Sequence, residues 1–292
     1  MVIANPIYDV VFKRLMENER VAKFFIGTLL EQTVESVEVK PQEFTFVDEL
    51  SALSVFRLDF IASIKTETGE YKKVLIEIQK AKKQIDLMRF RNYLAEQYKK
   101  KDSVNNESVI LPITTIYILG FKLPEIQTSC IKVERNYKDL VSQKIIDTKS
   151  DFVEKLTHDS FIVQVERITD RYQTKLDKLL SVFEQTNFLD NTHITKEYHH
   201  DSDVEEVRLM TDILHYTGTD PREKQKIETE QEAWRTVEAM TEDIIKELNE
   251  SKKALDEKDK ALGEKDKALG EKDKALDEKD RMIEELKRQL GK

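Results

Sequence analysis

The sequence predicts an α/β fold, a mixed sheet flanked by helices, with a long helix closing the chain. Three observations lead there. Residues 55–80, VFRLDFIASIKTETGEYKKVLIEIQK, form two alternating apolar runs around a polar turn. A helical stretch and then a β-branched run, LPITTIYILGF at 111–121, follow, so strand, crossover helix and parallel strand make a βαβ unit. From Glu223 onward the chain has no proline, and residues 253–280 repeat one heptad four times, KALDEKD, KALGEKD, KALGEKD, KALDEKD.

The N-terminal segment reads as a helix over 6–18, with Asn5 as N-cap, Pro6 at the first helical position, and Tyr8, Val11, Phe12 and Leu15 on one face. Asp9 and Lys13, four apart, share a face and are expected to pair. A second helix covers Glu19 to Leu30. Strands are predicted at Val34–Val39 and Glu43–Val47, with an exposed loop around Asp48 to Ser54.

In the hairpin, Phe56, Leu58, Phe60, Ala62 and Ile64 face one way, and Arg57, Asp59, Ile61 and Ser63 the other. On the second strand Val74, Ile76 and Ile78 point inward, away from Leu75, Glu77 and Gln79. A turn centred on Thr68 or Gly69 sets Asp59 opposite Glu77 or Gln79. Two carboxylates and an amide then share one face. Carboxylates about 5 Å apart repel unless a proton or divalent cation sits between them, and an all-oxygen donor set favours Mg2+ or Mn2+. The same spacing also allows a solvated sheet face with Arg57 or a lysine as ion-pair partner.

The next segment, KAKKQIDLMRFRNYLAEQYKKKD, carries an apolar stripe of Ile85, Met88, Tyr93 or Leu94, and Tyr98. Lys80, Lys82, Lys83, Arg89 and Arg91 crowd its start. Cations beside a carboxylate cluster suit a phosphate-bearing substrate, and equally a solvated helix face. Further along, FIVQV at 161–165 reads as a strand, and residues 171–188 and 203–216 as helices. The five histidines show no ligand spacing, and no Walker-type, GxSxG, HExxH or GxGxxG motif is present.

Composition bounds the function classes. A net charge of −9 excludes a protein that coats nucleic acid by bulk attraction. The first 125 residues are balanced, with 18 basic and 18 acidic side chains, so DNA contact there depends on local cations. One cysteine, Cys130, excludes an internal disulfide and a cysteine zinc cluster. No apolar run reaches membrane-spanning length and no leader pattern opens the sequence, so a cytoplasmic protein without a membrane partner is expected.

Leu248, Leu255, Leu262, Leu269, Leu276, Ile283 and Leu290 recur every seven residues, as at the d position of a coiled coil. The companion seam is polar, with Lys258 and Asp259 and their equivalents, and Gly263 and Gly270 weaken the helix. A weak coiled coil or a solvated single helix follows, with homo-oligomer contacts anchored at Trp234, Val237, Met240, Ile244 and Leu248.

With these residues laid out, the first 125 resemble the PD-(D/E)XK nuclease superfamily, in the bacterial putative-transposase branch that includes recombination-promoting nucleases. NPIYDVVFK at 5–13, RLDFIAS at 57–63, VLIEIQKA at 74–81 and RFRNYLAEQY at 89–98 follow that branch's NPxxDxxFK, D, (I/V)E(I/M)Q and RxxxY signatures in order. The glycine often found after the first motif is missing from RLMENER. The resemblance implies a restriction-endonuclease-like core over 1–125; the remaining chain reads as an accessory α/β extension over 126–221 and the long helix over 222–292. The resemblance also implies a Mg2+-dependent DNA endonuclease, Mn2+ being an alternative, in which Asp59, Glu77 and the Ile78 carbonyl hold the metal. Asp59, Glu77 and Gln79 would be catalytic, with Gln79 standing where the wider superfamily has lysine. Asp9 and Tyr93 would support the site. Lys13, Lys80, Lys82, Lys83, Arg89 and Arg91 would meet DNA. The alternative is a catalytically silent DNA-binding or scaffold protein that oligomerises through its C-terminal helix.

Overall fold

The computed structural model describes residues 1–47, 54–80, 84–169, 171–289 and 291; at 40–47, 54–59, 84–87, 89, 237–238, 240–245 and 249 the backbone alone is described. The chain opens on a short strand, β1 (Val2–Ala4), ahead of the span predicted as the first helix. Asn5 is not a helix cap. It is fully buried, and its amide donates to Gln185 Oε1 and to the His193 carbonyl, both at 3.0 Å, while its oxygen accepts from the Ile7 amide. These tertiary bonds hold residues 5–8 as a turn, so helix α1 begins only at Asp9 (Asp9–Met16). Helix α2 (Glu19–Leu30) matches its predicted span, and Asn18 caps it by accepting from the Arg20 and Val21 amides.

Strand β2 (Val34–Val47) is continuous where two strands were predicted. Pro41 does not break it because β2 lies at the sheet edge, where a missing N–H costs no ladder bond. Strands β3 (Ser54–Thr66) and β4 (Tyr71–Gln79) form the expected hairpin, Gly69 supplying φ of +85° in the turn. Pairing runs from Lys65↔Tyr71 to Phe60↔Ile76, the register of a turn centred on Thr68. Of the predicted loop, residues 48–53 lie outside those described.

Helix α3 (Gln84–Lys99) crosses to β7 (Ile113–Leu119) after a small hairpin of β5 (Asp102–Val104) and β6 (Glu107–Val109), turned by Asn105 and Asn106 at φ of 50° and 66°. β7 lies parallel to β4, as the βαβ reading requires. Then come β8 (Cys130–Val133), β9 (Tyr137–Lys138), β10 (Ile145–Ile146), α4 (Asp151–Leu156) and β11 (His158–Gln164), the last parallel to β7 and antiparallel to β8. The main sheet is therefore mixed and six-stranded, in the order β2-β3-β4-β7-β11-β8. Helix α5 (Lys175–Ser181) is shorter than predicted, because a capping box between Thr174 and Asp177 sets its start. Strand β12 (Thr195–Glu197) returns to pair with β1, and helices α6 (Glu205–Thr219) and α7 (Pro221–Gln289) complete the chain.

Phe60, Ala62, Ile64, Val74, Ile76 and Ile78 form the sheet side of the main core. Phe12 of α1 packs edge-on against Phe25 of α2 and Phe60 of β3, with ring centroids 5.4 and 5.0 Å apart. The opposite sheet face carries a second core of Leu75, Phe90, Tyr93 and Ile113. This rotates α3 relative to expectation. Phe90, Tyr93 and Gln97 are buried while Met88 and Tyr98 are exposed, since the Phe90 ring packs 4.6 Å from that of Tyr117. Ile85 has only its backbone described.

The chain divides into two compact units, Met1–Gln231 and Glu232–Lys292. α7 starts with Pro221 behind Asp220, whose carboxylate accepts from the Arg222 and Glu223 amides. In the second unit Leu248, Leu255, Leu262, Leu269, Leu276 and Ile283 are 48–66% exposed. Trp234 is half-buried, and the side chains of Val237, Met240 and Ile244, like all of Leu290, lie outside the described residues. No helix among the described residues is long and apolar enough to cross a membrane.

Candidate functional site

The two faces of β4 set the site. Val74, Ile76 and Ile78 enter the main core, so strand alternation sends Leu75, Glu77 and Gln79 to the other face. That face is not solvated. Glu77 is 2% exposed and Gln79 is also buried, because helix α3 lies over it with Phe90 and Tyr93 on Leu75. Parallel pairing puts Tyr117 beside Glu77 and Leu119 beside Gln79. Burial pushes the Tyr117 phenol above its ordinary value; the Thr115 hydroxyl opposes this and the Glu77 carboxylate adds to it.

The described β3–β4 ladder ends at Phe60↔Ile76, one step before Asp59 and Glu77. Continued by that step, the same register would set Asp59 against Glu77. The Asp59 side chain itself lies outside the described residues, as do the Arg57 and Arg89 side chains and the whole of Lys82 and Lys83. Among the described residues no group of three or more His, Cys, Asp or Glu side chains is arranged to hold a metal ion.

Beyond Gln79 the strand end is clamped to β7. The Gly120 amide donates to the Gln79 carbonyl at 2.8 Å, and a Cβ at Gly120 would sit 3.1 Å from the Lys80 carbonyl oxygen. The Lys80 side chain reaches the N-terminus of α1. Its ammonium lies 4.5 Å from the centroid of the Tyr8 ring and pairs with the carboxylate of Glu230, from the third turn of α7. The two Glu230 oxygens accept from the Asp9 and Val10 amides, each at 3.0 Å. Tyr8, the N-cap residue, makes no side-chain cap bond, so Glu230 caps α1 from more than 200 residues away. Gln231 extends the contact by donating to the Tyr8 hydroxyl at 3.1 Å and to the Thr192 carbonyl.

Thus the fold brings Asp9 and Lys80 together, and Glu77, Ile78, Gln79 and Tyr93 onto or beside β4. Lys13 is half-buried and Arg91 is exposed. Lys13 does not pair with Asp9 among the described residues, and the neighbouring Arg14 of α1 pairs with Glu17 and Glu223. Glu230, Gln231 and Tyr8 were missed as site residues. Nothing local marks Glu230, one of many acids in a charged helix.

Three of the five histidines make packing or backbone contacts. His200 stacks on Tyr172 and His193 on Phe188, with centroids 4.3 Å apart in both pairs, while His215 bonds the Val2 carbonyl at 2.6 Å. Burial pushes the Cys130 thiol up to about 11, the signature of an inert thiol. No family model matches the chain, and neither the curated proteins nor the solved structures contain a match.

Proposed function

We propose that this chain is a metal-dependent DNA endonuclease of the PD-(D/E)XK type, hydrolysing phosphodiesters in a recombination or mobile-element setting. The observation that carries the reading is the buried Glu77 carboxylate, on a central strand one register step beyond the Phe60↔Ile76 pair. Burial of a carboxylate beside Leu75 and Tyr117 is favourable only against a cation, a proton or a set of donors.

The donor set fits a hard cation, since the Asp59 and Glu77 carboxylates and the Ile78 carbonyl offer oxygen only. These three would hold Mg2+ or Mn2+, which when bound supplies Lewis acidity and a water acidic enough to be a nucleophile near neutral pH. Gln79 would orient a water through its amide, donating with nitrogen and accepting with oxygen, but adds no charge. Lys13, Lys80, Lys82, Lys83, Arg89 and Arg91 would hold backbone phosphates, and Asp9 and Tyr93 would support the strand end. Helix α3 limits water at Glu77, which strengthens electrostatic contacts there.

The test is nicking of supercoiled plasmid in Mg2+, Mn2+, Ca2+ or EDTA, beside Asp59→Ala and Glu77→Ala. Cleavage in Mg2+ or Mn2+ that both substitutions abolish is the expected result. Intact DNA binding with no cleavage by the wild type would overturn it. That outcome favours the second reading, a silent DNA-binding scaffold that self-associates through α7, which is supported by the exposed leucine stripe.

A further inference from the structure

The α1 N-terminus and Lys80 together make a built anion site, and the anion seated in it belongs to the chain itself. Each Glu230 oxygen accepts from one of two consecutive backbone amides, Asp9 and Val10, at 3.0 Å, and one of them also meets the Lys80 ammonium. The Lys80 and Glu230 side chains are 13% and 12% exposed, so the pair is largely withdrawn from water. Two divergent oxygens held by successive helix amides and a cation is the arrangement by which helix N-termini bind phosphate groups. A phosphodiester presents the same pair of oxygens, through its two non-bridging atoms. The site adjoins the β4 end that carries Glu77 and Gln79, and Lys80 is the next residue along the chain.

We infer that Glu230 is an internal phosphate mimic, a latch that fills a nucleic-acid phosphate site in the resting protein and must leave before Lys80 and the α1 amides can bind DNA. The inference rests on the reading of the chain as DNA-binding. The latch is carried by the root of α7, which Ile227 buries in the core and Glu223 ties to Arg14 of α1. Movement of the α7 root would therefore expose the anion site. Neutralising Glu230 while keeping its shape should do the same without movement.

The experiment measures binding of a fluorescein-labelled 20-base-pair duplex to the full chain by anisotropy in Ca2+, across a salt series. Glu230→Gln is expected to bind at least tenfold more tightly, with the slope of log K against log salt steeper by about one phosphate contact. Glu230→Gln with Lys80→Met should return to the wild-type affinity and slope. With Ca2+ omitted, millimolar inorganic phosphate should displace duplex from Glu230→Gln and not from the wild type; phosphate binding to Glu230→Gln by calorimetry with no duplex binding would mean a free-phosphate site and would overturn the nucleic-acid assignment. The latch is also overturned if Glu230→Gln binds duplex no more tightly than wild type, or if adding Lys80→Met to Glu230→Gln leaves the gain in affinity intact. Should Glu230→Gln fail to melt as a folded protein, Glu230→Asp decides, since the shorter carboxylate withdraws from the α1 amides and should raise duplex affinity in the same direction. A variant that binds more tightly but never nicks plasmid keeps the latch and removes the nuclease; nicking without any change in binding does the reverse.

Discussion

The guanidinium of Arg14 grips the carboxylate of Glu223 with two hydrogen bonds, of 3.2 and 2.7 Å, tying α1 to the first turn of α7. Lys226 adds a third contact to the same carboxylate at 2.8 Å. The Arg14 bonds foremost, then Lys226, hold Glu223 down at about 2. Its folded value is depressed, so its contribution to stability is fully present above the usual carboxylate range and is lost as pH falls from about 4.5 toward 2. Glu223→Gln should melt earlier than wild type at pH 7, by an amount set by a loss on the order of 1 kcal/mol, Arg14 being partly exposed. At pH 2 the two melting curves should converge. Parallel curves throughout would show that the tie contributes nothing.

Lys196 gives a slope of the opposite origin. Its side chain is 2% exposed and its ammonium donates to the Glu184 carbonyl. Burial pushes it down from 10.5 to about 7, with the Glu184 charge opposing. Between these values the unfolded chain holds a proton that the folded chain has released, so stability rises with pH from about 7 upward, by at most about 1.4 kcal/mol per pH unit. Below about 7 the full penalty is present. Denaturant titrations from pH 6 to 9.5 should show this rise in wild type and a flatter profile in Lys196→Met. The range stops there because the buried Tyr117 and Tyr198 phenols, both raised, act against stability at higher pH.

One substitution at two glycines should have opposite signs. A Cβ at Gly218 in α6 would lie 2.8 Å from the Ala4 amide nitrogen and 3.1 Å from the Ile3 carbonyl carbon, both backbone atoms of buried β1. Gly218→Ala must push α6 off β1 and should cost about 1–3 kcal/mol. Gly263 in α7 has open space around the same position. Gly263→Ala should favour the helix by about 1 kcal/mol. Denaturant midpoint reads the first and ellipticity at 222 nm on heating reads the second; equal effects would contradict both.

What was legible in the sequence follows contact range. The β3–β4 register, α2, the parallel β4–β7 pair and the leucine stripe each follow from periodicity or turn chemistry within about 40 residues. α1 started late because Asn5 bonds Gln185 and His193, partners no window around Asn5 contains. The stripe of α3 was misjudged because Met88 and Phe90 are both apolar, and only the Tyr117 ring selects between them. Strand β12 is three residues long and is defined by its pairing with β1. At the site, Glu77 and Gln79 were placed on the right face by alternation, yet their burial depended on where α3 lies. Glu230 reaches α1 across 221 residues, and its local sequence is that of a solvated helix.

The heptad stripe of α7 offers a last prediction. Leu255, Leu262, Leu269 and Leu276 are each about 60% exposed, whereas a d-position leucine in a formed coiled coil is largely covered by its partner. Four such residues in register on one helix face make a continuous apolar seam, while Asp259, Asp266 and Asp273 occupy the adjoining seam and repel their counterparts in a second copy. Self-association through this helix should therefore be weak and strengthened by salt, which screens the aspartates while leaving the leucine contacts intact. Sedimentation equilibrium of the full chain should show a reversible oligomer at high protein concentration, more populated at 0.5 M than at 0.05 M salt. Leu262→Glu with Leu269→Glu should leave a monomer of unchanged melting in the first unit. An oligomer that survives both substitutions would place the contact elsewhere, and a monomer at every concentration would leave α7 a solvated single helix held by its own lysine and acid pairs.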